Sequence, residues 1–301
     1  MFERNARWDR LGSARVLGLD RLGTLGRADT GLISFPGTPL PRISRPTIGA
    51  RRGDGYGKYL EAKALAHAAL EHPWLEAMES RRYPHMVSAV RDFAREYNAY
   101  SSSFPLYLRI VIDKLHRPEH RAALEENLRE ERGHMDASDR AALSESGLDP
   151  DEVEGIPHPL LFRSFCYSLG LDDDDLATPS PKALQWRDEL LDFLRQASPA
   201  AALGALGPGT EYIVKPIYAT ILDALSSLPE SIKVDPRFFL LHCTLDDKHA
   251  DDLRNVGRAF MRNEEDRREM RDGMLFALRL RESFFTHLHG RASSRAWSRK
   301  S

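Results

Sequence analysis

Residues 238–253 read Phe-Phe-Leu-Leu-His-Cys-Thr-Leu-Asp-Asp-Lys-His-Ala-Asp-Asp-Leu, which places His242, Asp246 and His249 at offsets of zero, four and seven. On a helix, at about 100° per residue, the three fall within a band of about 60° and project from one face. Phe238, Phe239, Leu240, Leu241, Leu245 and Leu253 give the segment enough apolar surface to be buried, and buried ionisable groups need a partner or a metal. A carboxylate between two imidazoles suits a borderline divalent ion such as iron. The competing reading is a solvated polar face with ordinary surface histidines, and the segment alone leaves both open. Asp247 is the weaker carboxylate candidate, because five residues from His242 it is rotated about 140° away on a regular helix.

Composition narrows the classes of function. Over 301 residues, 42% are hydrophobic and 29% charged, the balance of a globular chain large enough for one sizeable core. A net charge of −2 gives no electrostatic reason to expect nucleic acid or an anionic membrane. No apolar run approaches the ~20 residues that span a bilayer, and the N-terminus has no apolar signal core. Cys166 and Cys243 are the two cysteines, too far apart and too few for a disulfide framework or a zinc knuckle, so a reducing cytoplasm is expected.

Along the chain, residues 1–54 are rich in Arg, Gly and Pro and read as a flexible leader. Residues 290–301 read as a frayed tail. Between them, residues 55–289 repeat apolar positions near every 3.6 residues, with few alternating β-branched runs. The expected fold is all-α: a single bundle of seven to nine helices around a shared core. Residues 134–157 are acidic and polar, with Asp136, Ser138, Ser144, Ser146, Asp149 and Asp151. They read as an insert, able to hold a short helix, between two helices that belong together.

A metal site between helices needs ligands from more than one of them. Glu96, Glu131 and Glu211 each stand among apolar neighbours, and His158 opens the run His-Pro-Leu-Leu-Phe162. Each has an ordinary alternative. Glu131 could lie on an exposed charged face, and Glu211 could pair with Lys215 at i, i+4. Glu96 sits between Asp92 and Arg95, and His158 could simply precede a first-turn proline. His134, three residues after Glu131, competes with His158.

In this order and spacing the segments resemble the haem-oxygenase-like diiron oxidase and oxygenase family. Its marks are N-x-x-x-E-x-G, a later His-Pro-x-x-Phe, an isolated Glu on the next long helix, and H-x-x-x-D-x-x-H. Here these read Asn127 to Gly133, His158 to Phe162, Glu211, and His242 to His249. The resemblance covers about residues 85–260. It implies metal ligands at Glu131, His158, Glu211, His242, Asp246 and His249, with Glu96 as an extra carboxylate and His134 as an alternative. One departure is plain: Glu131 and His158 are separated by the polar insert.

The resemblance further implies a haem-oxygenase-shaped bundle without haem, two iron ions, O2 as co-substrate and an external electron donor. Similar enzymes of bacterial specialised metabolism act on amino acids or fatty acids by desaturation, C–C cleavage or N-oxygenation. A free amino acid or its derivative is the expected substrate, with Arg163, Lys215 or Arg254 as carboxylate clamps. A homodimer is left open. The alternatives are a metal-independent enzyme on the same fold, either a quinone-cofactor synthase or a thiaminase-like enzyme using Cys166 or Cys243 as nucleophile, and a non-catalytic helical interaction protein.

Overall fold

Helix boundaries follow local chemistry. Proline stands in the first turn of many helices, where its missing N–H costs nothing and its fixed φ starts the helix. Ser180 and Ser198 cap the two helices that follow them by accepting from the third residue's amide, which supplies an orphan donor with an acceptor.

The computed structural model describes residues 55–294, the side chains of residues 246 and 247 excepted. The expected leader at 1–54 lies outside the described residues, as does the end of the expected tail, 295–301. Regular structure among the described residues is entirely helical. In chain order it comprises α1 Gly55–Leu65, α2 Pro73–Glu79, α3 Met86–Ser101, α4 Phe104–Lys114, α5 Pro118–Glu130 and α6 Ala137–Ser146. Then come α7 His158–Ser168, α8 Asp173–Ala177, α9 Pro181–Gln196, α10 Pro199–Leu206, α11 Tyr212–Ser226, α12 Arg237–Arg258 and α13 Glu264–Ser294. Nine of these run eleven residues or more, the bundle of long helices that the periodicity predicts. The shorter ones are connectors that periodicity does not register.

Aromatic side chains fill the centre. Phe93, Phe162, Phe165, Phe239, Phe284 and Phe285 are fully buried, and Phe162 meets Phe238 edge-on with ring centroids 4.9 Å apart. Removing one such ring costs about 3–5 kcal/mol through lost transfer energy and the cavity left behind. Helices α10 and α13 pack so closely that a Cβ on Gly204 would lie 1.9 Å from the Met270 carbonyl oxygen, and one on Gly273 would lie 1.9 Å from that of Ala201. Only hydrogen fits at these two positions.

Between α10 and α11 the Gly-Pro-Gly-Thr-Glu run Gly207–Glu211 forms a single π-type turn. Pro208 has no N–H to continue an α ladder, and such turns recur at functional sites. The turn packs against α12 and α13 and delivers Glu211 into the interior. Helix α12 in turn contacts α5, α6, α7 and α11, so the segment carrying His242 and His249 lies among the helices that carry the other candidate ligands. No helix among the described residues is long and apolar enough to cross a membrane.

Candidate metal centre

Glu131 ends α5 and His158 begins α7, and the chain ties them together before any side chain is considered. The backbone N–H of His158 donates to the Glu131 carbonyl at 3.0 Å, and that of Gly155 donates to Gly133 at 2.8 Å. Gly133 sits at φ +89°, and a Cβ there would lie 2.6 Å from the Ile156 nitrogen, so the closing turn demands glycine. Between these ends the insert carries α6, opened by a reciprocal capping box of Asp136 and Asp139 and closed by Gly147 in the left-handed region. The insert is thus a closed excursion that returns His158 to Glu131.

Three ligand atoms converge. One each from Glu131, His158 and His242 lie within 4.8 Å of one another, and all three residues are buried. His158 Nδ1 stands 3.1 Å and His242 Nε2 3.8 Å from Glu131 Oε1. The His242 ring is fixed by its other nitrogen, where Nδ1 lies 2.7 Å from the Phe238 carbonyl oxygen. A carbonyl can only accept, so Nδ1 carries a proton, which leaves Nε2, on the side of Glu131, as the nitrogen that could take a metal.

The electrostatics suit a cation. Burial would push the Glu131 carboxyl up, but His158 and then His242 outweigh it and hold the group well below the usual carboxylate range. Burial pushes the His158 ring down, with Glu131 opposing. His158 Nδ1 has no hydrogen-bond partner despite its distance from Glu131, and neither does either polar atom of the Asn127 side chain one turn earlier. An orphaned buried imidazole nitrogen beside an ionised carboxylate is what a metal would satisfy. The donor set of one carboxylate and two imidazoles therefore fits iron.

Glu211 shares the site. With Glu131 and His242 it lines a cavity whose walls include Tyr100, Val214, Tyr218 and Phe238. Its carboxyl is pushed up to about 7 by burial, with His249 opposing and the negative charge of Glu131 adding. It is a buried group facing other ionisable side chains rather than a surface partner of Lys215.

His249 is buried too, but its Nε2 lies 2.5 Å from Glu130 Oε2. Lys248 Nζ takes the other Glu130 oxygen at 2.6 Å and also reaches Asp136 and Asp139 of the insert. A metal at His249 must use Nδ1 or open the Glu130 bond. The Asp246 side chain lies outside the described residues. His134 is exposed. Glu96 is fully buried elsewhere, bonded to Arg95 at 2.9 Å and to the Ser180 amide at 2.8 Å. Its partners are an arginine and a helix N-terminus, so it stands apart from the three converging ligands.

None of the three expected clamps is among the residues lining the cavity. Arg163 bonds Asp173 and Tyr167 at the surface. Arg254 pairs with Asp251 and Glu61 and lies over the Tyr212 ring. Sequence reasoning missed Glu130 and Lys248, although each is the neighbour of a proposed ligand in sequence and Glu130 contacts His249.

The sequence matches the profile of a family described as iron-containing redox enzymes over residues 91–282. No curated relative matches it. Among solved structures, a TenA homologue from Pseudomonas syringae superposes with TM-score 0.60 at 13% identity, covering 78% of this chain and 93% of that one. A CADD-like protein of unknown function from Nostoc punctiforme gives 0.59 at 17%, covering 80% and 96%. A domain of unknown function with a haem oxygenase-like fold from Shewanella denitrificans gives 0.56 at 16%, covering 81% and 93%. At these identities the structures establish the fold alone, and the sequence match establishes the family. The chain, an all-α bundle of haem oxygenase-like fold, belongs to the iron-containing redox enzyme family.

Proposed function

We propose that this protein is a non-haem diiron oxidase or oxygenase that uses O2 to oxidise a small amino-acid-like substrate by desaturation, C–C cleavage or N-oxygenation. The observation that carries the reading is the convergence of Glu131, His158 and His242 from three separate helices, with His158 Nδ1 buried and unpartnered. One iron would be held by these three. Glu211 and His249, with Asp246 by the resemblance, would hold the second. When bound, the irons supply dioxygen activation and the redox equivalents, while electrons come from an external donor.

The chain's own residues set the conditions for that chemistry. Glu131 brings negative charge that favours ferric iron, and the imidazoles of His158 and His242 would keep ferrous iron bound. Val214, Tyr218 and Phe238 line the cavity and limit access of bulk water. Glu211, with its carboxyl near neutrality, holds a proton that it gives up when it becomes a ligand. A reducing, cytoplasmic setting fits this use of ferrous iron.

A thiol-dependent, metal-free enzyme on the same fold finds less support. The Cys166 thiol is fully buried, donates to the Ala94 carbonyl and is pushed up strongly by burial. Neither cysteine lines the cavity, and a nucleophilic thiol needs the opposite environment. The test is anaerobic ferrous titration followed by oxygen and a chemical reductant. Uptake of close to two equivalents of iron and reductant-dependent oxygen consumption are expected. Both should be lost in His242→Ala with helical circular dichroism retained. Failure to bind iron overturns the proposal.

A further inference from the structure

Ten side chains line the cavity, and nine of them are sealed from solvent, none more than 7% exposed. Phe104 is the exception: it lines the cavity and is only half-buried. The free space between the walls amounts to about one or two water molecules. Dioxygen fits such a space, and an organic molecule does not. Any organic ligand that is to reach Glu131, Glu211 and His242 must therefore displace a wall.

The backbone around Phe104 is held on both sides. Ser102 and Ser103, at the corner between α3 and α4, each donate a hydroxyl to the Ala99 carbonyl, at 3.4 and 3.1 Å. Phe104 is the first residue of α4, and Pro105 follows it with φ fixed by its ring. Helix α4 in turn packs against α5, α9 and α10. The Phe104 ring is held less. It meets Tyr107 edge-on with centroids 6.0 Å apart and Tyr100 at 6.3 Å, towards the long end of aromatic pairing, and part of it faces solvent. The buried walls are tied more firmly. Tyr218 shares a 2.8 Å hydrogen bond with the Tyr97 hydroxyl, and Phe238 is wedged between Phe162 at 4.9 Å and His242 at 4.2 Å. Moving either would open a void in close-packed surroundings. Phe104 is the wall that yields first.

We propose that Phe104 is the door of the cavity and sets which ligands enter by size. Turned inward, its ring leaves a space for water and dioxygen. Turned outward, it admits an organic ligand along the corner between α3 and α4, and closing behind that ligand keeps bulk water from the site. The inference concerns the entrance, so it goes beyond the function proposed above and holds whether or not the site takes iron.

The test uses diethyl pyrocarbonate, which acylates accessible imidazole nitrogens and is far larger than the closed space. The metal-free full chain is treated, and the rate of modification at His242 is followed by peptide mass spectrometry. The exposed His85 and His116 serve as internal standards. His249, buried on the same helix but not part of the cavity lining, reports any general loosening of α12. Phe104→Ala should raise the rate at His242 about tenfold or more, because the rate scales with the fraction of molecules that stand open. Phe104→Trp should lower it, which keeps the comparison available should the alanine variant fail to fold. His249 should react alike in all three proteins. Equal rates at His242 in wild type and either variant overturn the proposal, as does a His242 that stays unmodified throughout. A rise at His242 that His249 shares would mark loosening of the helix and overturn it as well. Iron uptake is measured separately, so the door and the metal site can fail independently of each other.

Discussion

His158 meets Glu131 twice: its backbone N–H donates to the Glu131 carbonyl at 3.0 Å, and its ring Nδ1 stands 3.1 Å from that residue's Oε1. The main-chain bond closes the insert, and the closure places the ring. Two proposed ligands 27 positions apart in sequence thereby lie side by side.

The closure makes Gly133 a sensitive position far removed from any ligand role. Gly133→Ala combines a positive φ with a Cβ driven into the Ile156 backbone. It should cost about 2–3 kcal/mol of stability. Chemical denaturation should show the loss, and iron binding should weaken with it because His158 is displaced. Unchanged stability would mean that the insert does not close in this way.

Glu211 predicts a pH dependence for the metal-free protein. Its carboxyl is pushed up to about 7, first by burial, against about 4.3 in an unfolded chain. Between these values the folded state keeps a proton that the unfolded state has released. The favourable contribution is complete below the unfolded value and is lost as pH rises through about 7. The melting temperature of the iron-free chain should therefore fall from pH 5 to pH 8. Glu211→Gln should flatten that slope and stabilise the chain at pH 8 by about 3 kcal/mol. In wild type, iron uptake near pH 6 should release a proton, measurable with an indicator dye.

Glu130 holds His249 from one oxygen and Lys248 from the other. Removing its charge in Glu130→Gln should free the ring to reorient and weaken one of the two iron equivalents by about 10–100-fold, the usual scale for a partner of a metal-binding histidine. Lys248→Met should have the smaller effect, since it leaves the Glu130–His249 bond in place. Identical titration curves for wild type and Glu130→Gln would show that His249 does not serve the metal.

If the thiols are only packing groups, Cys166→Ser and Cys243→Ser should each retain iron-dependent oxygen consumption. Cys166→Ser should lose about 1 kcal/mol or more of stability, because a more polar atom enters a fully buried position. Loss of oxygen consumption with iron binding intact would revive a thiol mechanism.

Much of this was readable from residue spacing. The period of 3.6 gave the long helices, and the offsets of His242 and His249 on α12 put both in the interior. Glu131 and His158 were legible as polar groups in apolar surroundings. Their closeness was not, because it depends on a backbone bond across an insert. The capping box at Asp136 and the αL glycine at Gly147 were signals for the helix inside that insert. The buried Arg281 was legible in principle, since Ala277, Phe284 and Leu288 place it on the buried stripe of α13. A charged residue at a core position is easily taken for an exposed one when its neighbours Arg279 and Glu282 are charged too. Glu130 was hidden by its neighbour, because adjacent carboxylates point to different faces and only the packing of α12 shows that both faces are used.

The central claim is that Glu131, His158 and His242 hold iron. Crystals of the full chain loaded with ferrous iron under anaerobic conditions, measured on both sides of the iron absorption edge, test it directly. The account predicts an anomalous peak within coordination distance of Glu131, His158 Nδ1 and His242 Nε2. Iron bound elsewhere, or no peak between these three side chains in a fully loaded crystal, would contradict it.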